Sequence, residues 1–249
     1  MNAIILAAGL GSRLGMFGEN TPKGMITISG KTLLERQIEI LHNCGINDIT
    51  IVTGHNSKLI KYPNIHYIEN PNYSTTNMNE SLFCARKKFD DSILVSYSDI
   101  IYEQKVIEQL LKSKSDFSIG IRFDWKESYE NRTQHPLSEA ENVIVENNKI
   151  IFLRKNLSTC TQNQKIGEFL GLMKLSKRGS KIFLDKYSEL EMSHKGKFHN
   201  APSLEKAYLT DMLQELIDSG IRISPIYISG KWCEIDTPQD LTTAKKLFS

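Results

Sequence analysis

Apolar and polar positions alternate between two periods along the first half of the chain. Ala3 to Ala8 is an unbroken apolar run that stops at Gly9, the pattern of a strand covered on both faces. Thr32-Leu33-Leu34-Glu35 has capping-box spacing and opens a helix with Leu34, Ile38, Leu41 and Cys44 on one face. Gly45 offers its stop. Asp48 to Thr53 predicts a second strand, ended by Gly54, and Ile65 to Ile68 a short third. Asn79 to Lys88 predicts a helix, Ser92 to Tyr97 a buried strand, Glu103 to Lys112 a helix and Asp116 to Ile121 a strand. Such β-α alternation implies an α/β fold, a Rossmann-like, doubly wound, mostly parallel sheet. Ligands of these sheets sit beyond the carboxyl ends of the strands, which directs attention to Gly9, Gly54 and Asp99.

After about residue 121 the pattern changes. Asn142 to Val145 and Lys149 to Leu153 predict a hairpin through Glu146-Asn147-Asn148, since asparagine tolerates positive φ. Further on, Phe169 to Leu175 and Ile221 to Ile228 read as strands. Arg178 to Leu190, Leu204 to Asp218 and Pro238 to Phe248 read as helices. We therefore expect one domain over 1–249, with a doubly wound first half (1–121) and a small α+β second half (122–249). No proline- or glycine-rich linker separates them.

Composition narrows the function classes. With 31 basic and 29 acidic side chains the net charge is +2, which gives no electrostatic case for nucleic-acid or membrane-surface binding. No segment approaches the roughly 20 apolar residues of a membrane span, and no basic region precedes the first apolar run, so the chain reads as cytoplasmic. Cys44, Cys84, Cys160 and Cys233 form no C-x-x-C pair and read as buried free thiols.

The strongest chemical signal is Leu6-Ala7-Ala8-Gly9-Leu10-Gly11-Ser12-Arg13-Leu14, followed by Thr21-Pro22-Lys23. Two glycines after a buried strand let backbone N–H groups approach phosphate oxygens. Arg13 and Lys23 add the positive charge that a triphosphate needs. Leu14 stands where the dinucleotide fingerprint requires its last glycine, which argues against a nicotinamide oxidoreductase. Asp99 and Asp236 each follow an apolar run. Alone, either could cap a helix; together they are a candidate pair for Mg²⁺, which prefers oxygen ligands. The amides and hydroxyls from Asn70 to Ser81 could read a nucleobase or form a solvated turn. The stretch Asp124 to Glu141 carries aromatics, acids and Arg132, which could pair with a phosphate or phosphonate. His135, just before Pro136, reads as structural.

On these residues the chain resembles the nucleotidyltransferases that join a nucleoside triphosphate to a phosphorylated acceptor and release pyrophosphate. Leu6 to Leu14, Pro22-Lys23, Ser98-Asp99 and Glu234-Ile235-Asp236-Thr237 carry the likeness; the loop Gly15 to Asn20 departs from it, where a proline and threonine are usual. It is most similar to the small CTP-dependent branch that acts on phosphocholine, 2-aminoethylphosphonate or phosphoglutamine. Asn70 to Ser81, Tyr129 to Glu141 and Tyr208 to Leu213 carry that narrower likeness.

The resemblance implies CTP and a small phosphorylated or phosphonate acceptor as partners, with Mg²⁺ as cofactor, and makes 1–121 the nucleotide-binding half and 122–249 the acceptor-binding half. It assigns Arg13 and Lys23 to catalysis and Asp99 and Asp236 to the metal. Leu6, Ala8, Gly9, Gly11, Ser12, Asn70, Tyr73, Thr76 and Ser81 are the candidate nucleotide contacts. Trp125, Tyr129, Arg132, Glu139, Glu141, Tyr208 and Asp211 are the candidate acceptor contacts. A sugar-1-phosphate nucleotidyltransferase using UTP, GTP or dTTP is the alternative, and a nucleotide-binding regulator without catalysis a more distant one. The oligomeric state stays open, a homodimer included.

Overall fold

The computed structural model describes residues 1–14 and 21–249, so the divergent part of the loop, Gly15 to Asn20, lies outside the described residues. The first strand, β1 (Asn2–Ala7), is buried along its whole length. A small antiparallel pair, β2 (Thr27–Ile28) and β3 (Lys31–Thr32), leads into α1 (Leu33–Asn43). The expected capping box is present: Thr32 Oγ1 accepts from Glu35 N at 3.0 Å, and the Glu35 carboxylate accepts from Thr32 N. β4 (Asp48–Thr53), β5 (His66–Glu69), α2 (Met78–Cys84) and β6 (Ile93–Tyr97) follow. β4 and β6 flank β1, and β5 lies beyond β4, all parallel. The helix predicted to reach Lys88 ends at Cys84, and a separate 3₁₀ turn covers Arg86–Lys88.

Beyond β6 the order departs from simple alternation. β7 (Ile100–Tyr102), α3 (Gln104–Leu111) and β8 (Phe117–Arg122) come next, but β8 does not join β6. Between them runs β11 (Lys165–Leu175), antiparallel to both and reached through the hairpin β9 (Glu141–Glu146) and β10 (Lys149–Lys155). Asn147 and Asn148 turn that hairpin at φ of 48° and 56°, the left-handed geometry their residue type accommodates. Met173 faces Val95 on one edge of β11 and Ile119 on the other, while Ile166 faces Ile144 of β9. β6 and β9 therefore share one edge of β11, end to end, with Phe169 to Gly171 unpaired on that edge. Gly171 has φ of 70°, and a Cβ there would lie 2.6 Å from the Tyr97 ring, so this kink requires glycine.

α4 (Lys177–Ser193) and α5 (Leu209–Asp218) pack together and against the sheet. The helix expected over Leu204 to Asp218 is interrupted: a 3₁₀ turn covers Leu204–Lys206, extended backbone follows at Ala207 and Tyr208, and α5 starts at Leu209. β12 (Ser224–Tyr227) lies parallel to β8 and closes the sheet. β13 (Trp232–Glu234), within the run that precedes Asp236, pairs with β7 in a separate antiparallel ribbon, and α6 (Pro238–Leu247) follows. One nine-stranded sheet thus draws strands from both halves of the chain. The main apolar core has Ile4, Ile5, Ile51 and Val95 fully buried within it. All four cysteines are free thiols, as expected, but none is fully buried and Cys160 is exposed. Among the described residues no helix is long and apolar enough to cross a membrane.

Candidate active site

A cavity of about 390 Å³ opens beyond the carboxyl ends of β1 and β6. The glycine turn forms one wall. Leu14 N donates to Gly11 O at 3.1 Å, and Gly11 lies at φ of 66°. Leu14 is fully buried in a small cluster with Ile235 and Leu241, which ties the turn to the segment carrying Asp236. Leu6, Ala8, Gly9, Gly11 and Arg13 line the cavity, and Ser12 belongs to the same turn.

Asp99 and Asp236 are 137 residues apart in sequence, and the β7–β13 ribbon brings them together. Glu234 faces Ile100, and Ile235 N donates to Asp99 O at 2.8 Å, continuing the ladder by one residue. Both carboxylates converge on one ammonium: Lys23 Nζ donates to Asp99 Oδ2 at 2.9 Å and also to Asp236 Oδ1. Burial alone would disfavour that ammonium, but the two aspartates hold it above the usual lysine range. Arg13 reaches Asp236 Oδ2 at 3.0 Å and Glu139 at 3.6 Å. Although burial raises the Asp236 carboxyl, Lys23 and Arg13 outweigh it and keep the group below its ordinary value.

Tyr73, Thr76 and Ser81 also line the cavity. Asn70 does not line it, which corrects its expected place in the base contact. Its carboxamide is 1% exposed and donates to Thr76 Oγ1 and Ser81 Oγ, both at 3.0 Å. It braces the loop that carries the exposed groups.

The second-half candidates divide. Glu139, Glu141 and Tyr208 line the cavity. Tyr129 borders a smaller chamber behind it, which shares Tyr97, Glu139, Glu141 and Glu234 with the main cavity. Trp125, Arg132 and Asp211 line neither, and each is corrected by its packing. The Trp125 Nε1–H bonds Ile166 O at 3.2 Å, and its ring edge meets Tyr129. Arg132 donates to Asp240 Oδ1 at 2.7 Å and stacks over Tyr129 with Cζ 4.6 Å from the ring centre, so its charge is satisfied internally. Asp211 accepts from Tyr208 N at 2.9 Å and caps α5.

Four further groups were not assigned from sequence. His135, expected to be structural, is buried yet lines the cavity, with Nδ1 3.3 Å from Asp236 Oδ2. Lys155 bonds Glu139 at 3.0 Å, holding that carboxyl below its usual range, and lies 4.6 Å over the Tyr208 ring. Glu234, two residues before Asp236, is driven well above the ordinary carboxylate range by burial and by its acidic neighbours. Glu168 lies in β11 and accepts from Tyr129 Oη. Burial raises both Glu168 and Glu141 to about 7. The available signal for Glu168 was a lone acid followed by the apolar run Phe169 to Met173.

Residues 3–145 match the MobA-like NTP transferase domain family. The chain is 32% identical over 252 residues to the CTP:phosphoglutamine cytidylyltransferase of Campylobacter jejuni, covering 97% of this chain and 98% of that one. It is 35% identical over 117 residues to the choline-phosphate cytidylyltransferase of Streptococcus pneumoniae, a match that spans 45% of this chain and 51% of its relative. In fold it is similar to the solved CTP:phosphocholine cytidylyltransferase of Streptococcus pneumoniae, with a TM-score of 0.77 at 21% identity over 100% of this chain and 99% of that one. The solved inositol-1-phosphate CTP transferase of T. maritima gives a TM-score of 0.73 at 19% identity, over 99% of this chain and 94% of that one. The chain belongs to the MobA-like NTP transferase domain family: it is a nucleotidyltransferase, similar along nearly its whole length to a cytidylyltransferase.

Proposed function

We propose that this protein transfers CMP from CTP to the phosphate or phosphonate oxygen of a small non-sugar acceptor and releases pyrophosphate. The observation that carries this reading is the meeting of Lys23, Asp99 and Asp236 beside the glycine turn, at the open ends of β1 and β6. The main cavity carries the acids Glu139 and Glu141 and the phenol of Tyr208, which suit an acceptor with a cationic head group such as phosphocholine, 2-aminoethylphosphonate or phosphoglutamine. A sugar would call instead for neutral groups that bond hydroxyls.

In this reading the backbone N–H groups of Gly9 and Gly11, with Arg13, bind the β- and γ-phosphates. Lys23 contacts the α-phosphate and the attacking oxygen. That oxygen displaces pyrophosphate in line, with no covalent enzyme intermediate, and negative charge grows on the non-bridging oxygens and the leaving group. Catalysis is positioning plus electrostatic stabilisation. Tyr73, Thr76 and Ser81, which line the cavity, contact the nucleoside in this reading, and Glu141 and Tyr208 the acceptor.

The donor set suits a divalent cation. Asp99 and Asp236 already converge on one positive charge, the Lys23 ammonium, and both offer the hard oxygens Mg²⁺ prefers. Asp99 and Asp236 would hold Mg²⁺, which would supply charge neutralisation at the phosphates.

The test is pyrophosphate release with Mg²⁺, each of CTP, UTP, GTP and dTTP, and a panel of small and sugar phosphates. Release with CTP and a small non-sugar acceptor is expected. Release confined to a sugar-1-phosphate would move the chain to the sugar class.

A further inference from the structure

The end-to-end arrangement of β6 and β9 leaves a gap along β11, and the smaller chamber occupies it. Tyr97 ends β6 and Glu141 begins β9, so the two face each other across Phe169 to Gly171. Tyr97 Oη donates to Glu141 Oε2 at 3.3 Å across the opening. Tyr129 Oη donates to Glu168 on the other side. Glu168 is 4% exposed, yet its second oxygen receives no donor among the described residues. Neither Glu141 nor Glu168 has a cationic side chain within 4.0 Å among the described residues. Arg122, the nearest strand neighbour of Glu168, bonds Asp124 at 2.8 Å. Lys155 is engaged by Glu139. Buried Glu168 and half-buried Glu141, each bonded by a single phenol, thus face one small space that Glu139 and Glu234 also border.

A carboxylate only accepts hydrogen bonds and has room for about four. Arg132 and Arg122 act on Glu168, and Lys155 on Glu141, only from beyond bonding distance, and burial costs the ionised form unless a cation enters the chamber. Its volume is about 20 Å³. That is close to the roughly 10–15 Å³ needed by one water-sized group. One nitrogen with three N–H donors fits both the space and the chemistry. A trimethylammonium carries three methyl groups on its nitrogen where a primary ammonium has hydrogens, and has no N–H to offer.

We propose that Glu141 and Glu168 receive a primary ammonium of the acceptor in this chamber, and so select primary-amine acceptors over quaternary ones. This rests on the cytidylyl-transfer reading above and names its acceptor class. The acceptor's phosphate or phosphonate lies in the main cavity beside Lys23, and its ammonium passes Tyr97 into the gap.

The test compares acceptors that differ only at this nitrogen: phosphoethanolamine, phosphocholine and the neutral 2-hydroxyethyl phosphate. Acceptor-dependent pyrophosphate release is measured with CTP and Mg²⁺, and CTP binding is followed separately. The expected result is a kcat/KM for phosphoethanolamine about 10- to 100-fold above the other two, the size of a charge-assisted bond to a buried partner. Glu168→Gln should raise the KM for phosphoethanolamine by at least about tenfold, with kcat and the KM for CTP moving far less. Phosphocholine or the neutral acceptor used as well as phosphoethanolamine would overturn the inference and leave cytidylyl transfer standing. CTP binding without release on any acceptor would overturn both readings. The wild-type ratio decides the matter even if the variant folds poorly.

Discussion

Replacing Asp240 tests how the site is held together. Its carboxylate is 2% exposed at the third position of α6. One oxygen accepts from Arg132 Nε at 2.7 Å, and the other from Thr237 N at 2.9 Å and Asp236 N at 3.1 Å. One side chain therefore closes the helix cap, fixes the backbone of the candidate metal ligand and anchors the Asp124–Glu141 segment. Removing one partner of a buried ion pair costs about 3–5 kcal/mol. A melting point moves by about 2–4 °C per kcal/mol in a chain of this size. Asp240→Ala should therefore lower Tm by roughly 6–20 °C. Asp240→Asn keeps an acceptor but loses the charge, and should fall between.

The pH dependence supplies a second check. Burial pushes Asp240 up, but nearby His135 and the bonds to Arg132 and Thr237 outweigh this and hold it far below the ordinary aspartate value. A depressed carboxyl contributes stability above its unfolded value, about 4, and loses it as pH falls through the folded value. The Tm gap between wild type and Asp240→Asn should be full at pH 7 and narrow below about pH 4. Differential scanning calorimetry at pH 3 and pH 7 measures both. A gap of a degree or two for Asp240→Ala, or one equal at both pH values, would refute the reasoning.

Three other outcomes follow from the same geometry. Lys23→Ala should reduce steady-state pyrophosphate release by roughly 10²–10³, the scale of one lost transition-state donor; near-normal turnover would remove Lys23 from the mechanism. Burial raises Glu168 to about 7 from an ordinary 4.5, so its ionisation costs the folded state stability that grows as pH rises from about 4.5 to 7. Glu168→Gln should then melt several degrees higher than wild type at pH 8 and nearly with it at pH 5, and no gain at pH 8 would contradict the assignment. Gly171→Ala forces a side chain into left-handed backbone against Tyr97, and should cost about 1–3 kcal/mol in urea unfolding while raising the acceptor KM.

Much of this site was legible because its chemistry is local in sequence. The β1–glycine-turn segment, Lys23, and the two aspartates at strand ends all follow from short motifs whose geometry needs few distant contacts. The α1 capping box and the Asn147-Asn148 turn were readable for the same reason. What the sequence concealed depends on long-range pairing. The two three-residue strands, β7 and β13, are too short to show a period, yet they set Asp99 beside Asp236. Arg132 looks like a free phosphate ligand until Asp240, 108 residues away, claims it. Asn70 and Asp211 carry the right atoms for ligand contact, but those atoms are spent on the loop and the helix cap. Glu168 stood next to an apolar run that reads as ordinary strand, and only the insertion of β11 between β6 and β8 gives it a chamber to face.

The central claim, transfer of the nucleotidyl group to the acceptor's own phosphate or phosphonate, is tested most directly by following label from CTP. With CTP labelled at the α-phosphorus, the label should appear in a cytidine-linked acceptor, and with γ-labelled CTP it should leave as pyrophosphate. Label from the γ-position in the acceptor would contradict the account, because the enzyme would then be a phosphoryl rather than a cytidylyl transferase.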